Sequence, residues 1–167
     1  MTAQGTSTRG VADIVFLIDA TGSMDTCIGE LKKNLSTFID TLVSKDGNNE
    51  SPVRNWRAKV VGFRDCEVDS QYHVDNPFVE DAETLKSQLA ALKADGGGDE
   101  PETLLDSLYK VCAMGATEAG APPDPFRWRH HRDAHRFVIV FTDATFKRPM
   151  RLSELNGGEV DDVINCI

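Results

Sequence analysis

Residues 13–24 read D-I-V-F-L-I-D-A-T-G-S-M, and this stretch decides the fold. Ile14 to Ile18 form an unbroken apolar run, β-branched and aromatic, closed by Asp19. A strand that is apolar at every position is buried on both faces, which is the habit of a parallel sheet covered by helices. A-T-G-S-M is a turn of small residues, and after it Ile28, Leu31, Leu35, Phe38 and Leu42 recur at steps of three and four. Those positions share one helical face, so the spacing predicts an amphipathic helix over about residues 24–45 that packs on the sheet. Gly47 lies just past its end.

Outward from that unit, a second strand is predicted at Ala58 to Phe63 and a third within Tyr72 to Val79. The link R-D-C-E-V-D-S-Q is too short for a crossover helix, so that pair is antiparallel. Leu85, Leu89 and Leu92 mark another helix, and Leu104, Leu108 and Cys112 mark one after the loop A-D-G-G-G-D-E-P-E. F-V-I-V-F-T-D repeats the first strand's signature, an apolar run from Phe137 to Phe141 with Asp143 two residues later. The expected architecture is α/β, Rossmann-like, with a mostly parallel central sheet, one antiparallel edge strand and flanking helices. Residues 1–10 read as a flexible leader and 11–167 as one domain, with 114–135 as an irregular, basic insertion. Val160 to Ile167 reads as the first turns of a helix, and the fold is expected to lack its last strand and helix, as a segment of a longer chain or of a complex would.

The chain's 167 residues suit one domain, and 40% hydrophobic with 27% charged residues is a soluble balance that excludes disorder throughout. Lys and Arg number 18 against 27 Asp and Glu, a net charge of −9 that disfavours nucleic acid and suits cations or basic partners. No run approaches the ~18 apolar residues of a membrane span, and MTAQGTSTRG lacks the apolar core of a secretory signal. Cys27, Cys66, Cys112 and Cys166 are widely spaced with no C-x-x-C pair. Reduced thiols in a cytoplasmic protein without a membrane partner are therefore expected.

The residues that carry chemistry sit where ligands bind in open α/β sheets, at the C-terminal ends of strands. Asp19, Thr21 and Ser23 are alternate oxygen-bearing residues in one turn, and such a turn can converge on a hard cation of the Mg²⁺ type. The structural alternative is a strand-to-helix turn with Thr21 or Ser23 as N-cap and Asp19 on the helix dipole. Asp143 ends the later strand, and Asp99 with Glu102 around Pro101 offers carboxylates at a helix entry. The alternative for that pair is an N-cap and capping box with an early proline. The three elements together favour a cation site over three separate caps.

D-I-V-F-L-I-D-A-T-G-S-M, G-G-G-D-E-P-E and F-V-I-V-F-T-D-A together resemble the von Willebrand factor A domain and its metal-ion-dependent adhesion site. The resemblance runs from about Ala12 over nearly the whole chain, in the family's motif order. It implies that Asp19, Thr21 and Ser23 form the first ligand motif, with threonine where serine is commoner. It implies that Asp143 is the later aspartate, which usually binds through water. The middle loop departs from the common threonine. Gly98-Asp99-Glu100-Pro101-Glu102 is similar to the Asp-x-Pro-Glu loop of integrin beta-subunit I-like domains and to G-G-G-D-x-P-E loops of bacterial members. Carried over, Glu102 is the direct ligand and Asp99 a neighbouring one. The implied cofactor is Mg²⁺, with Mn²⁺ or Ca²⁺ tolerated because an extra carboxylate is present. Thr26 and Cys27 stand where integrin beta chains place two aspartates for an adjacent metal. The implied function is metal-dependent protein–protein interaction, in which an Asp or Glu carboxylate of a partner completes the metal's shell.

Arg127, Arg129, Arg132 and Arg136 with His130, His131 and His135 form a basic cluster, read as a solvated or docking loop rather than a nucleic-acid patch. Arg64-Asp65 resembles a Tyr/Phe-Arg-Asp segment of bacterial family members and otherwise reads as a salt-bridged strand end. A metal-dependent phosphohydrolase is the alternative from another class. Its Asp-x-Asp signature would need an acid where Thr21 stands, so catalysis is not expected. The remaining alternative is a fold-only scaffold that docks partners through the 114–135 insertion.

Overall fold

The computed structural model describes residues 10–43, 53–98, 100–152 and 158–166. The elements run β1 (Val11–Asp19), a 3-10 turn (Gly22–Thr26), α1 (Ile28–Val43), β2 (Asn55–Phe63), β3 (His73–Asp75), α2 (Ala82–Ala91), α3 (Leu104–Ala113), β4 (His135–Phe141) and α4 (Val160–Cys166). The sheet order is β3-β2-β1-β4. β1 lies parallel to both β2 and β4, and β3 is antiparallel at the β2 edge. The mostly parallel α/β sheet with one antiparallel edge strand is the architecture the sequence predicts. No helix among the described residues is long and apolar enough to cross a membrane.

The alternation of β1 explains the two layers around it. Ile14, Phe16 and Ile18 face Ile28, Leu35, Ile39 and Leu42 of α1 and Leu85 and Leu89 of α2. Val15 and Leu17 face the other way, onto a cluster with Val61, Phe63, Phe78, Val111 and Trp128. α3 carries α4 on its outer side through Leu105, Met150 and Val163.

Element boundaries differ from expectation where charge masks the pattern. β2 begins at Asn55 rather than Ala58, because Arg57 and Lys59 interrupt the apolar run although both are buried in it. Each is neutralised in place. Lys59 pairs with Asp75 at 2.6 Å across the antiparallel edge, and both cations lie over the Phe78 ring. α1 starts four residues later than expected, since the 3-10 turn occupies the approach. In β4 the apolar run is buried only in part: Phe137 and Val140 are exposed.

The 114–135 segment is where the structure corrects the sequence reading most. Trp128 is buried against Phe78, and its indole N–H donates to Val111 O at 3.0 Å. Arg129, counted in the basic cluster, lies inside the protein. Its Nε donates to Asp13 Oδ1 at 2.7 Å, beside Arg57, whose Nε and Nη2 reach Asp13 Oδ1 and Oδ2 at 2.8 Å. The backbone N–H of Arg129 adds a bond to Asp13 Oδ2 at 2.7 Å. Burial alone would raise the Asp13 pKa, but the hydrogen bonds and charges of Arg57 and Arg129 outweigh it and hold this carboxyl below its usual value. The segment is thus tied to the N-terminal end of β1 and forms part of the core.

Candidate metal centre

The parallel registers Ile18↔Phe141 and Asp19↔Phe63 bring the C-terminal ends of β4, β1 and β2 side by side. Four loops therefore meet at one edge of the sheet. They are the turn after β1, the 64–69 loop after β2, the glycine loop before α3, and the 142–147 segment after β4.

Asp19 is fully buried at the centre. Its Oδ1 accepts from the Thr21 backbone N–H at 3.0 Å and from the Thr21 hydroxyl at 2.6 Å. Its Oδ2 accepts from the Thr142 hydroxyl at 2.7 Å. The Thr21 and Ser23 hydroxyls lie 3.1 Å apart, and Ser23 Oγ donates to Asp143 Oδ1 at 3.0 Å. The structure thus brings together Asp19, Thr21, Ser23 and Asp143, in one hydrogen-bonded chain from a buried end to an exposed mouth. The capping alternative for this turn is not what the geometry shows. Thr21 precedes the 3-10 turn, but its side chain makes no cap bond and turns to Asp19 instead.

Glu102 enters from the glycine loop with 3% of its surface exposed, and its Oε2 has no hydrogen-bond partner among the described residues. Burial first, then the negative charges of Asp19, Asp65 and Asp69, push its pKa up to about 7, with Lys147 opposing. The capping-box alternative fails here as well: Thr103, not Asp99, is the residue before α3, and the Glu102 side chain points into the protein. Asp99 lies outside the described residues.

The glycines explain how backbone comes so close to these groups. Gly22 N–H donates to Gly96 O at 3.0 Å, and Gly97 N–H to Asp69 Oδ2 at 2.8 Å. Gly97 has φ +78°, and a Cβ there would stand 2.9 Å from Thr21 Cβ and 3.3 Å from Glu102 Oε1. Only glycine leaves that space clear.

Thr142, Asp65, Asp69 and Lys147 belong to this edge and were not singled out as site residues. Lys147 Nζ reaches Asp65 Oδ2 at 2.6 Å and Glu67 Oε2 at 2.7 Å. Thr103 Oγ1 donates to Arg64 O at 3.0 Å and accepts from Cys66 N–H at 2.9 Å, fastening the 64–66 loop to the start of α3. Asp65 carries a signal in its place after a strand, in the Arg64-Asp65 pair. Lys147 carries no such signal, because a lysine four residues beyond an aspartate is commonplace.

Among the described residues, no group of three or more His, Cys, Asp or Glu side chains is gathered as a metal cluster. A cation here would depend on hydroxyl oxygens as much as on carboxylates. The donor set fits that demand. It consists of hard oxygens from Asp19, Thr21, Ser23, Glu102 and Asp143, with Glu102 Oε2 buried and without a partner among the described residues.

A family model described as von Willebrand factor A domain matches residues 13–121, from β1 past α3. The match includes Asp19, Thr21, Ser23 and Glu102 and stops before Asp143. No curated protein matches the chain.

Proposed function

Because this chain belongs to the von Willebrand factor A domain family, we propose that it is a protein-interaction module holding one divalent cation, Mg²⁺ by preference, in the site built around Asp19. Asp19, Thr21, Ser23 and Glu102 would hold the cation and Asp143 would act at the mouth, directly or through water. The cation supplies a Lewis-acidic position for a carboxylate of a partner protein. The side chains do the rest. Asp19 and Glu102 provide the buried negative charge, the hydroxyls keep the total charge low enough that an incoming Asp or Glu is still attracted, and the glycine loop leaves room for close approach.

The observation that carries this reading is the Glu102 carboxylate, buried with Oε2 unpartnered among the described residues. A carboxylate in that state destabilises the fold unless something positive reaches it. Lys147, the nearby ammonium, is engaged by Asp65 and Glu67 instead. The placement inside the cell, in a bacterial-type member of the family, is part of the same proposal. Cys27 and Cys66 are free thiols, which a reducing compartment maintains.

Calorimetric titration of the chelator-stripped protein with Mg²⁺, Mn²⁺ and Ca²⁺ tests the site, beside Asp19→Asn and Ser23→Ala. One-site binding in the wild type, lost in Asp19→Asn and weakened in Ser23→Ala, is expected. Equal affinity in all three proteins would sink the assignment.

A further inference from the structure

Lys147 adds a side-chain bridge from the segment after β4 to the loop after β2, a loop that Thr103 Oγ1 also fastens to the start of α3. Both backbone bonds of Glu102 go to its neighbourhood: Glu102 N–H donates to Thr145 O at 2.9 Å, and Lys147 N–H donates to Glu102 O at 2.8 Å. The Lys147 side chain then crosses to the loop after β2, where Nζ meets Asp65 Oδ2 at 2.6 Å and Glu67 Oε2 at 2.7 Å. Asp65 is fully buried, and its Oδ1 accepts from Glu67 N–H at 2.9 Å. Other cations nearby do not replace Lys147. Arg64 is turned away onto Ala20 O and Lys93 O, and Arg151 Nε stands 3.9 Å from Glu67 Oε2. One ammonium therefore closes a ring through the loop after β2, the segment after β4, and the strand-like pairing that carries Glu102.

We propose that Lys147 is a positioning residue, a latch that joins the segment paired with Glu102 to the Asp65 and Glu67 side chains, beside the backbone fastening made by Thr103, and so holds the Glu102 carboxylate in the site before a cation arrives. The inference rests on the cation reading given above for its purpose, but not for its existence. Opposing effects follow from removing the ammonium. Loss of a positive charge near the site favours a dication, while loss of the latch loosens the segment that carries Glu102 and leaves Asp65 buried without its Lys147 ion pair. The second effect dominates, because preorganised ligands depend on the contacts that support them and a buried charge stripped of its partner is strongly unfavourable.

The test is amide hydrogen exchange on the chelated full chain in the wild type, Lys147→Met, Lys147→Arg and Glu67→Gln. In Lys147→Met, exchange at Glu102 and Lys147 should speed up about tenfold or more while β1 stays protected. Lys147→Arg keeps a cation on the same carboxylates and should return to within about threefold of the wild type. Glu67→Gln removes only the exposed anchor and should accelerate the same segment by about threefold, which keeps the proposal testable if Lys147→Met does not fold. Unchanged exchange at Glu102 and Lys147, or equal acceleration in β1, overturns the latch. Mg²⁺ titration of the same proteins reads its purpose. Lys147→Met should bind about tenfold more weakly, whereas tighter or equal binding overturns the role in preorganisation. If the wild type takes up no divalent cation, the cation reading fails, while the exchange result still decides the latch.

Discussion

Replacing Glu102 by Gln removes a charge without removing volume, and the structure sets the size and sign of the effect. In the metal-free protein the Glu102 carboxyl is raised from an ordinary 4.5 to about 7, chiefly by burial. The folded state thus binds this proton more tightly than the unfolded chain, so ionisation works against folding. At about 1.4 kcal/mol per pH unit of difference, the penalty is under about 1 kcal/mol at pH 5, roughly 2 at pH 6 and about 3 at pH 8, where it is nearly complete. Glu102→Gln escapes it. Against the wild type in chelator, the variant should gain about 2 kcal/mol or more in relative stability between pH 5 and pH 8. Near ~3 °C per kcal/mol for a domain of this size, that is a relative gain of roughly 6 °C in Tm. Any cost of burying the amide is independent of pH, so the slope and not the offset carries the argument. Mg²⁺ should then separate the proteins again. At about 100 times Kd, binding stabilises the wild type by about 2.7 kcal/mol, and the variant, lacking a charged ligand, should respond far less. Urea unfolding at pH 5, 6, 7 and 8, with chelator and with Mg²⁺, measures all of this. A stability difference that stays flat across that range would refute the reasoning.

Gly97→Ala should cost roughly 1–3 kcal/mol and weaken cation binding, because the added methyl meets Thr21 and Glu102. Gly120→Ala shares a positive φ but faces open space, so in urea unfolding the difference between the variants isolates the crowding at the site. At the other end of β1, Asp13→Asn strips the counter-ion from two buried guanidiniums and should cost about 3–5 kcal/mol. The Asp13 carboxyl is held below its usual 3.8 in the folded state, so its stabilisation is present above pH 3.8 and is lost as pH falls through the lower folded value. Acid titration of stability should therefore be shallower in the variant, and a wild-type midpoint in urea would contradict the buried triad.

Much of the architecture was legible because β1 announces itself. Ile14 to Ile18 leaves no polar position for a solvent face, and the short link before β3 excludes a parallel crossover. Asp19, Thr21, Ser23 and Asp143 were legible for a related reason: strand ends are fixed by the runs that precede them, and residues at parallel strand ends become neighbours. What could not be read is what depends on pairing across loops. Arg57 and Lys59 look like solvent-facing residues until Asp13 and Asp75 are placed opposite them. Arg129 looks like part of a surface patch until the 114–135 segment folds back and delivers it to Asp13. Lys147 joins the site only because its backbone runs beside Glu102. Charged side chains have no periodic signature, and their burial is decided by partners distant in sequence.

The charges at the ends of β1 differ in what they leave for a ligand. Asp13 is saturated by Arg57 and Arg129 and has nothing left to offer a ligand. At the opposite end, Asp19 is held by hydroxyls and one N–H, and Glu102 retains a buried oxygen with no partner among the described residues. A cation bound behind the mouth formed by Ser23 and Asp143 would reach that oxygen and return stability that folding alone leaves unrealised. Docking through the 114–135 segment is the reading to be separated from it, and deletion of the segment cannot do so, since the cut would remove Trp128 from the core and Arg129 from Asp13 together. Substituting exposed residues of the segment, such as Phe126 and Arg132, leaves the core intact. A partner that still binds those variants, and releases with chelator, is bound at the strand ends.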